Sequence, residues 1–161
     1  MPLERVISGG QTGADRAALI AARNAGIATG GWMRRGFLAH DGTHPEFAER
    51  YGIRETESDH YPNRTAMNVK ESDATLRFAT DCSSPGEVLT RELCEQFGKP
   101  HYDVNPNGGK SPEDVVEWIL TRGVRVLNVA GNSERTSPGI QEYVAEFLGD
   151  VFRLLVLSNE A

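Results

Sequence analysis

Apolar positions along the chain follow two periods. Continuous runs of strand length recur at Val6-Ile7, at 74–79 (Ala-Thr-Leu-Arg-Phe-Ala), at 100–104 (Pro-His-Tyr-Asp-Val) and at 124–130 (Val-Arg-Val-Leu-Asn-Val-Ala). Between them the period lengthens to that of a helix. A helix over 17–25 follows the first run. Across 86–97, Val88, Leu89, Leu93 and Phe97 fall on roughly one face. Ser111-Pro112-Glu113-Asp114 reads as a helix start, with Ser as N-cap and Pro in the first position. Val115, Val116, Trp118, Ile119 and Leu120 give that helix its core face, and Gly123 fits its C-cap. Alternating strands and helices with short links predict an α/β fold with a mainly parallel, doubly wound sheet.

Two stretches depart from this rhythm. From about Gly30 to Asn68 periodicity is weak and polarity high, with Arg34, Arg35, His40, Asp41, His44, Asp59, His60 and Arg64 among the polar residues. Trp32, Phe37, Phe47 and Tyr51 are interspersed, so the segment reads as an ordered, irregular excursion over the ligand edge of the sheet. From Pro138 to Ser158 the spacing is mostly helical, but Gly149 weakens a helix there, and Val151–Leu157 fits a strand equally well. A long apolar helix outside a small domain would suit a dimer contact, so a homo-oligomer, dimer or higher, is expected.

With 161 residues the chain reads as one domain, 1–161, able to bury a real core. A net charge of −6 argues against a general nucleic-acid surface and leaves room for a local basic pocket. Cys82 and Cys94 match neither a disulfide framework nor a zinc spacing, and read as free thiols in a reducing cytoplasm. No apolar run approaches the roughly 20 residues of a membrane span, and no signal region opens the chain.

Three turns follow strands and precede helices. The first, Ser8 to Arg16, carries Gly9, Gly10, Gln11, Thr12 and Gly13, then Asp15 and Arg16 at the helix start. Glycines admit close backbone approach, and a helix N-terminus attracts anions, so this turn reads as a phosphate or oxyanion cradle. The second runs over 80–86 and includes Ser84 and Gly86; the third runs over 128–139 and includes Asn128, Gly131, Ser137 and Gly139. In a parallel sheet all three meet at the carboxyl ends of the strands, where ligands bind. Arg16 and Arg35 are candidates to neutralise the anion.

The first turn lacks the Gly-Lys-Ser/Thr ending of a triphosphate loop and the Gly-x-Gly-x-x-Gly spacing of a dinucleotide fingerprint. His40 and His44 lie four apart, but Gly42 and Pro45 make the segment a loop and no third ligand is evident, so no metal site is expected there. Cys82 has no histidine partner that spacing can name, which leaves it a weak nucleophile candidate.

Taken together, the residues 7–19, Gly30-Gly31-Trp32, Arg35-Gly36, Glu55-Thr56, Tyr61, Arg64-Thr65, Asn68-Val69, Ser72-Asp73, 126–131 and Pro138-Gly139-Ile140 resemble the circularly permuted YpsA-like branch of the SLOG superfamily, whose members carry a molybdenum-carrier label. The resemblance covers nearly the whole chain. It implies a three-layer, Rossmann-like fold and a nucleotide or nucleotide-derived ligand, with molybdenum cofactor as the proposed cargo of carrier-like relatives; no catalytic cofactor is expected. The chain departs from the family at the second turn: Ser84-Pro85-Gly86-Glu87 stands where relatives tend to read Ser-Gly-Gly-Thr. Pro85 removes a backbone donor, and Glu87 puts a carboxylate where a phosphate would be repelled. Either this turn takes a sugar or a cation, or the anion sits wholly on the first turn.

The leading expectation is a small-molecule binding protein whose phosphorylated ligand docks across the strand ends. The alternative is a nucleotide N-glycosidase. Enzymatic cousins carry a catalytic glutamate one to two turns into the matching helix, and Glu92 falls near that position, with Glu87 a second choice. A protein-binding module is the third class, disfavoured by the glycines at the strand ends.

Overall fold

A computed structural model describes residues 3–57 and 61–160, with the side chains of 61, 62, 159 and 160 left out. Asp59 and His60 of the polar segment, and the side chain of Tyr61, therefore lie outside the described residues.

The chain runs β1 (Arg5–Ser8), α1 (Ala14–Asn24), β2 (Ala28–Met33), β3 (Leu38–Ala39), β4 (Gly42–Thr43), α2 (Phe47–Tyr51), β5 (Ile53–Glu55), α3 (Tyr61–Glu71), β6 (Ala74–Phe78), α4 (Pro85–Gln96), β7 (His101–Val104), α5 (Pro112–Arg122), β8 (Val126–Gly131) and α6 (Ile140–Glu160). Six strands form one parallel sheet in the order β5-β2-β1-β8-β6-β7. The chain leaves β1 towards β2 and leaves β6 towards β7, and β8 returns between β1 and β6. That reversal of direction is the switch point where an open parallel sheet leaves a crevice.

Helices α1 and α5 both pack on α6 on one face, while α3 and α4 pack together over β2 and β8 on the other. This is the α/β, three-layer, Rossmann-like arrangement. The α1 face is nearly all small: Ala14, Ala17, Ala18, Ala21 and Ala22 are buried. Small side chains let α6 lie close, and α6 fills the space with Val144, Phe147, Leu148, Val151, Phe152 and Leu155. Full burial of each large side chain contributes about 1.5–3 kcal/mol. Residues 150–158 are therefore helix, because α6 runs unbroken through Gly149. The start of α5 follows its sequence: Ser111 and Asp114 form a reciprocal capping box, Pro112 stands in the first turn, and Gly123 closes the helix in the left-handed conformation.

The segment over 30–68 is more regular than its weak periodicity predicts. It contains most of β2, the edge strand β5, the antiparallel pair β3–β4 and most of α3. Glycines at 30 and 31 and the brevity of β5 hide the strands from a pattern reading. Its aromatic residues do pack: Phe47 and Tyr51 join Leu19, Met33, Ala39 and Ile53 in a second core cluster.

Candidate functional site

A cleft opens at the carboxyl ends of β1, β8 and β6, at the switch point. Its inner compartment, about 20 Å³, is lined by Gly9 and Asp15 from the first turn and α1, Arg64 and Asn68 from α3, Glu87 from α4 and Asn128 from β8. Its outer compartment, about 240 Å³, is lined by Gln11, His40, Ser84, Pro85, Gly86, Ser133 and Thr136. Asp15, Gly86, Glu87 and Gly131 border both. The three turns thus share one cleft.

Five successive donors of the first turn, from Gly10 to Ala14, are already used within the protein. Gly10 N–H donates to Ser8 Oγ at 3.3 Å, Gln11 N–H to Asp15 Oδ2 at 3.3 Å, and Thr12 N–H to Gln11 Oε1 at 3.0 Å. Gly13 N–H donates to Gln141 Oε1 at 3.0 Å, and Ala14 N–H to the Asn132 carbonyl at 3.2 Å. The glycines serve packing. A Cβ on Gly9 would collide with the Arg64 guanidinium, and Gly13 holds φ of 89° with the Asn132 backbone against it. Thr12 Oγ1 accepts from Glu134 N–H at 3.3 Å and joins the first turn to the third.

The second turn differs. Ser84 is the N-cap of α4, with no side-chain cap hydrogen bond, and Pro85 brings no N–H. The next amides, of Gly86 and Glu87, donate to no group among the described residues and border the outer compartment. The third turn closes its own helix end, because Glu134 accepts from Gly139 N–H at 2.8 Å and Gln141 N–H at 2.6 Å. Among the described residues, α4 leaves two successive amides at the cleft without an acceptor, Gly86 and Glu87, whereas at the start of α1 only Asp15 N–H is so left between the bonded amides of Ala14 and Arg16.

Asn132, 1% exposed, ties the second turn to the third. Its Oδ1 accepts from the N–H groups of Thr80 and Asp81 and from Ser137 Oγ, at 2.8, 3.1 and 3.0 Å. Its Nδ2 donates to the Asp81 carbonyl and to Glu87 Oε2, at 3.1 and 3.2 Å. Ser137 also bonds the Thr80 hydroxyl. Asn68 holds the β2 end by pairing both amide groups with the Trp32 backbone.

Charge is segregated along the cleft. Asp15, 5% exposed, pairs with Arg64 Nη1 at 3.0 Å. Burial pushes the Asp15 carboxyl up against the pull of that guanidinium. Burial, then the Asp15 charge, pushes Glu87 up to about 7. In the outer part His40 is held below its ordinary range, by burial first and then by Arg135, Arg64 and Arg34. The inner end holds Glu87 and the Asp15–Arg64 pair, and in the outer part three guanidiniums act on His40.

The structure therefore brings together Gly9, Gln11, Asp15, Ser84, Gly86, Asn128 and Gly131. Gly10, Thr12, Gly13 and Ser137 stand behind the wall as supports, and Gly139 is exposed beside the Glu134 cap. Arg16 is engaged by Asp41 at 2.6 and 3.0 Å, by the Gly10 carbonyl, and over the Phe47 ring. Arg35 lies in a separate shallow pocket with Glu55, Thr56 and Glu57. Glu92 is exposed on α4 and lines neither compartment; Glu87, one helical turn earlier, does. Cys82 is exposed and Cys94 buried, both free. His44 turns to Asp41, Glu46 and Phe47 rather than to a shared centre with His40. Sequence reasoning missed Asn132 and the pairing of Arg64 with Asp15; an Asn directly after the strand-ending Gly131 was the available signal for the first.

The family model for the circularly permutated YpsA SLOG family matches residues 6–152. The crystal structure of a protein from Syntrophus aciditrophicus SB, called a "Putative molybdenum carrier protein", is similar at 36% identity and a TM-score of 0.84, over 94% of this chain and 95% of that one. No curated protein matches the chain.

Proposed function

The chain belongs to the circularly permuted YpsA branch of the SLOG family, and from that premise we propose that it binds a small phosphorylated, nucleotide-derived ligand in the cleft at the strand ends. The carrier name of its structural relative makes molybdenum cofactor, a phosphorylated pterin, the leading cargo. The observation that carries this reading is the open N-terminus of α4. Gly86 and Glu87 border a 240 Å³ compartment with Ser84, Ser133, Thr136 and His40, and Arg135, Arg64 and Arg34 act electrostatically on that histidine. Helix N-termini and guanidiniums are what an oxyanion requires. The volume suits a phosphate with one attached ring, which leaves a larger ligand extending into solvent. Gly9, Gly10, Thr12 and Gly13 then shape the cleft through Arg64 and the third turn. The two free thiols are in keeping with a reducing cytoplasm. Leu157, 54% exposed beside a groove between α1 and α6, is the candidate face for a homo-oligomer.

The test is a thermal-shift series with adenosine 5′-monophosphate, a pterin phosphate and molybdate. A ligand that binds the native state raises Tm by mass action. A rise with a phosphorylated ligand that is lost in Ser84→Ala and Arg135→Ala supports the reading; no rise with any of them contradicts it.

A second reading has its own observation. A carboxyl pushed up to about 7, buried in a cleft, suits general acid–base work at neutral pH. Under N-glycosidase chemistry Glu87 takes that role in place of Glu92. Release of base from adenosine 5′-monophosphate, abolished in Glu87→Gln and kept in Glu92→Gln, distinguishes turnover from carriage.

A further inference from the structure

The inner compartment poses a chemical problem that the ligand reading leaves open. Three side chains on its wall are more than nine-tenths buried: Asp15 at 5% exposure, Glu87 at 5% and Asn128 at 3%. Each has one polar atom committed and one oxygen without a partner among the described residues. Asp15 Oδ2 accepts from Arg64 and from Gln11 N–H, and Oδ1 accepts from nothing. Glu87 Oε2 accepts from Asn132, and Oε1 accepts from nothing. Asn128 Nδ2 donates to Thr75 Oγ1 at 3.2 Å, while the Thr75 hydroxyl is itself bonded to Cys94. That arrangement fixes the amide orientation and leaves Asn128 Oδ1 over. None of these oxygens is sealed in, since the buried polar atoms with neither partner nor access among the described residues are Arg5 Nε and Arg16 Nε.

So three residues that line a space of about 20 Å³ each bring an acceptor oxygen without a partner among the described residues. That is room for one water-sized occupant, too small for a sugar or a base. A water has two protons and cannot donate to three acceptors. An unmatched acceptor this deep costs about 1–3 kcal/mol, and more when charged. The Arg64 guanidinium engages Asp15 on its Oδ2 side, away from Oδ1. An occupant that offers no lone pair, carries positive charge and accepts several hard oxygen ligands suits three such acceptors. The same occupant resolves the conflict at the second turn. Glu87 and Asp15 border the compartment assigned to an anion, and a cation between them turns that repulsion into attraction.

We infer that the inner compartment is a site for one small divalent cation of the Mg2+ or Mn2+ kind, held by Asp15 Oδ1, Glu87 Oε1 and Asn128 Oδ1 and completed by an oxygen of the anionic ligand. Such ions are held by one or two carboxylates, waters and substrate phosphates, not by closed protein cages. The three protein ligands stand independently of the ligand reading; the contribution of the anion rests on it.

The experiment is a Mn2+ titration of the full chain at pH 8, read by electron paramagnetic resonance of free Mn2+, with no nucleotide present. One saturable site per chain is expected. Glu87→Gln weakens it at least ten-fold, and Glu92→Gln, an exposed carboxylate on the same helix, leaves it unchanged. No saturable binding at millimolar Mn2+, or equal affinity in Glu87→Gln and the parent, overturns the site. Thermal shifts with adenosine 5′-monophosphate, run in EDTA and in Mn2+, separate the two readings. A nucleotide shift in EDTA without Mn2+ binding keeps the ligand site and overturns the cation. Mn2+ binding at the Glu87-dependent site without a nucleotide shift supports the cation and contradicts the ligand.

Discussion

The first and second turns look alike as sequences and differ as surfaces. Both join a strand to a helix through small residues, and the first has more glycine. Yet the first turn spends its N–H groups from Gly10 to Ala14 on Ser8, Asp15, Gln11, Gln141 and Asn132, whereas the amides of Gly86 and Glu87 border the cleft without an acceptor among the described residues. Glycine richness signals that something approaches the backbone closely. It does not say whether that something is a ligand or the protein itself. At Gly9 it is the Arg64 guanidinium, and at Gly13 it is the Asn132 backbone.

The comparison breaks most violently at Arg64. If the first turn is a structural joint, its buried Asp15–Arg64 pair supports the fold. Removing one partner of such a pair costs about 3–5 kcal/mol, because the other charge stays buried. Arg64→Ala is expected to lower Tm by roughly 10 °C, measured by calorimetry. An unchanged Tm would detach the first turn from the core.

Next comes Glu87. Its folded-state carboxyl, at about 7, lies above the ordinary value of 4.5. The folded state therefore favours the protonated form. That contribution is fully present below about pH 4.5 and is lost as pH rises through about 7. Glu87→Gln keeps the shape and removes the charge, so it should stabilise the chain by up to about 3 kcal/mol at pH 8 and leave it nearly unchanged at pH 4.5. Urea unfolding at the two pH values reads this directly, in buffer without divalent ions. Equal effects at both would mean that Glu87 is solvated rather than buried.

The two N-cap serines give a sharper, smaller contrast. Ser111 accepts from Asp114 N–H and forms a capping box, whereas Ser84 makes no cap bond. Ser111→Ala should cost about 1 kcal/mol and Ser84→Ala a fraction of that. Ser84→Ala should nonetheless weaken nucleotide binding, which Ser111→Ala should not. The smallest effect is at Asp41. Arg16 beside it holds its carboxyl well below the usual range, but the pair is exposed at the Asp41 end. Asp41→Ala is expected to change stability by less than about 1 kcal/mol.

These contrasts mark what the sequence could and could not convey. Ser111-Pro112 and Gly123 set the limits of α5 because capping is local chemistry, readable from a few neighbours. The apolar runs gave β6 and β8, both deeply buried, for the same reason. The strands β2 and β5 escaped because glycines and short length erase periodicity, and α3 because its polar residues Arg64, Thr65 and Asn68 line the cleft. The continuity of α6 depends on packing against the alanine face of α1, which no local signal near Gly149 reports. At the site, the cleft and many of its residues were legible from strand ends. Which amides stay open was not, because that depends on acceptors such as Gln141 and Asn132, both more than 100 residues away in sequence. Likewise Arg16 looked available until Asp41, in the β3–β4 hairpin, was seen to hold it.

The central claim is that the anion of the ligand docks on the α4 N-terminus and not on the glycine-rich turn. An amide-resolved NMR titration with adenosine 5′-monophosphate, in the presence of Mg2+, tests it most directly. The amides of Gly86 and Glu87 should show the largest shifts, with Gly10, Gln11, Thr12 and Gly13 little changed. Large shifts over residues 10–13 with Gly86 and Glu87 silent would contradict it.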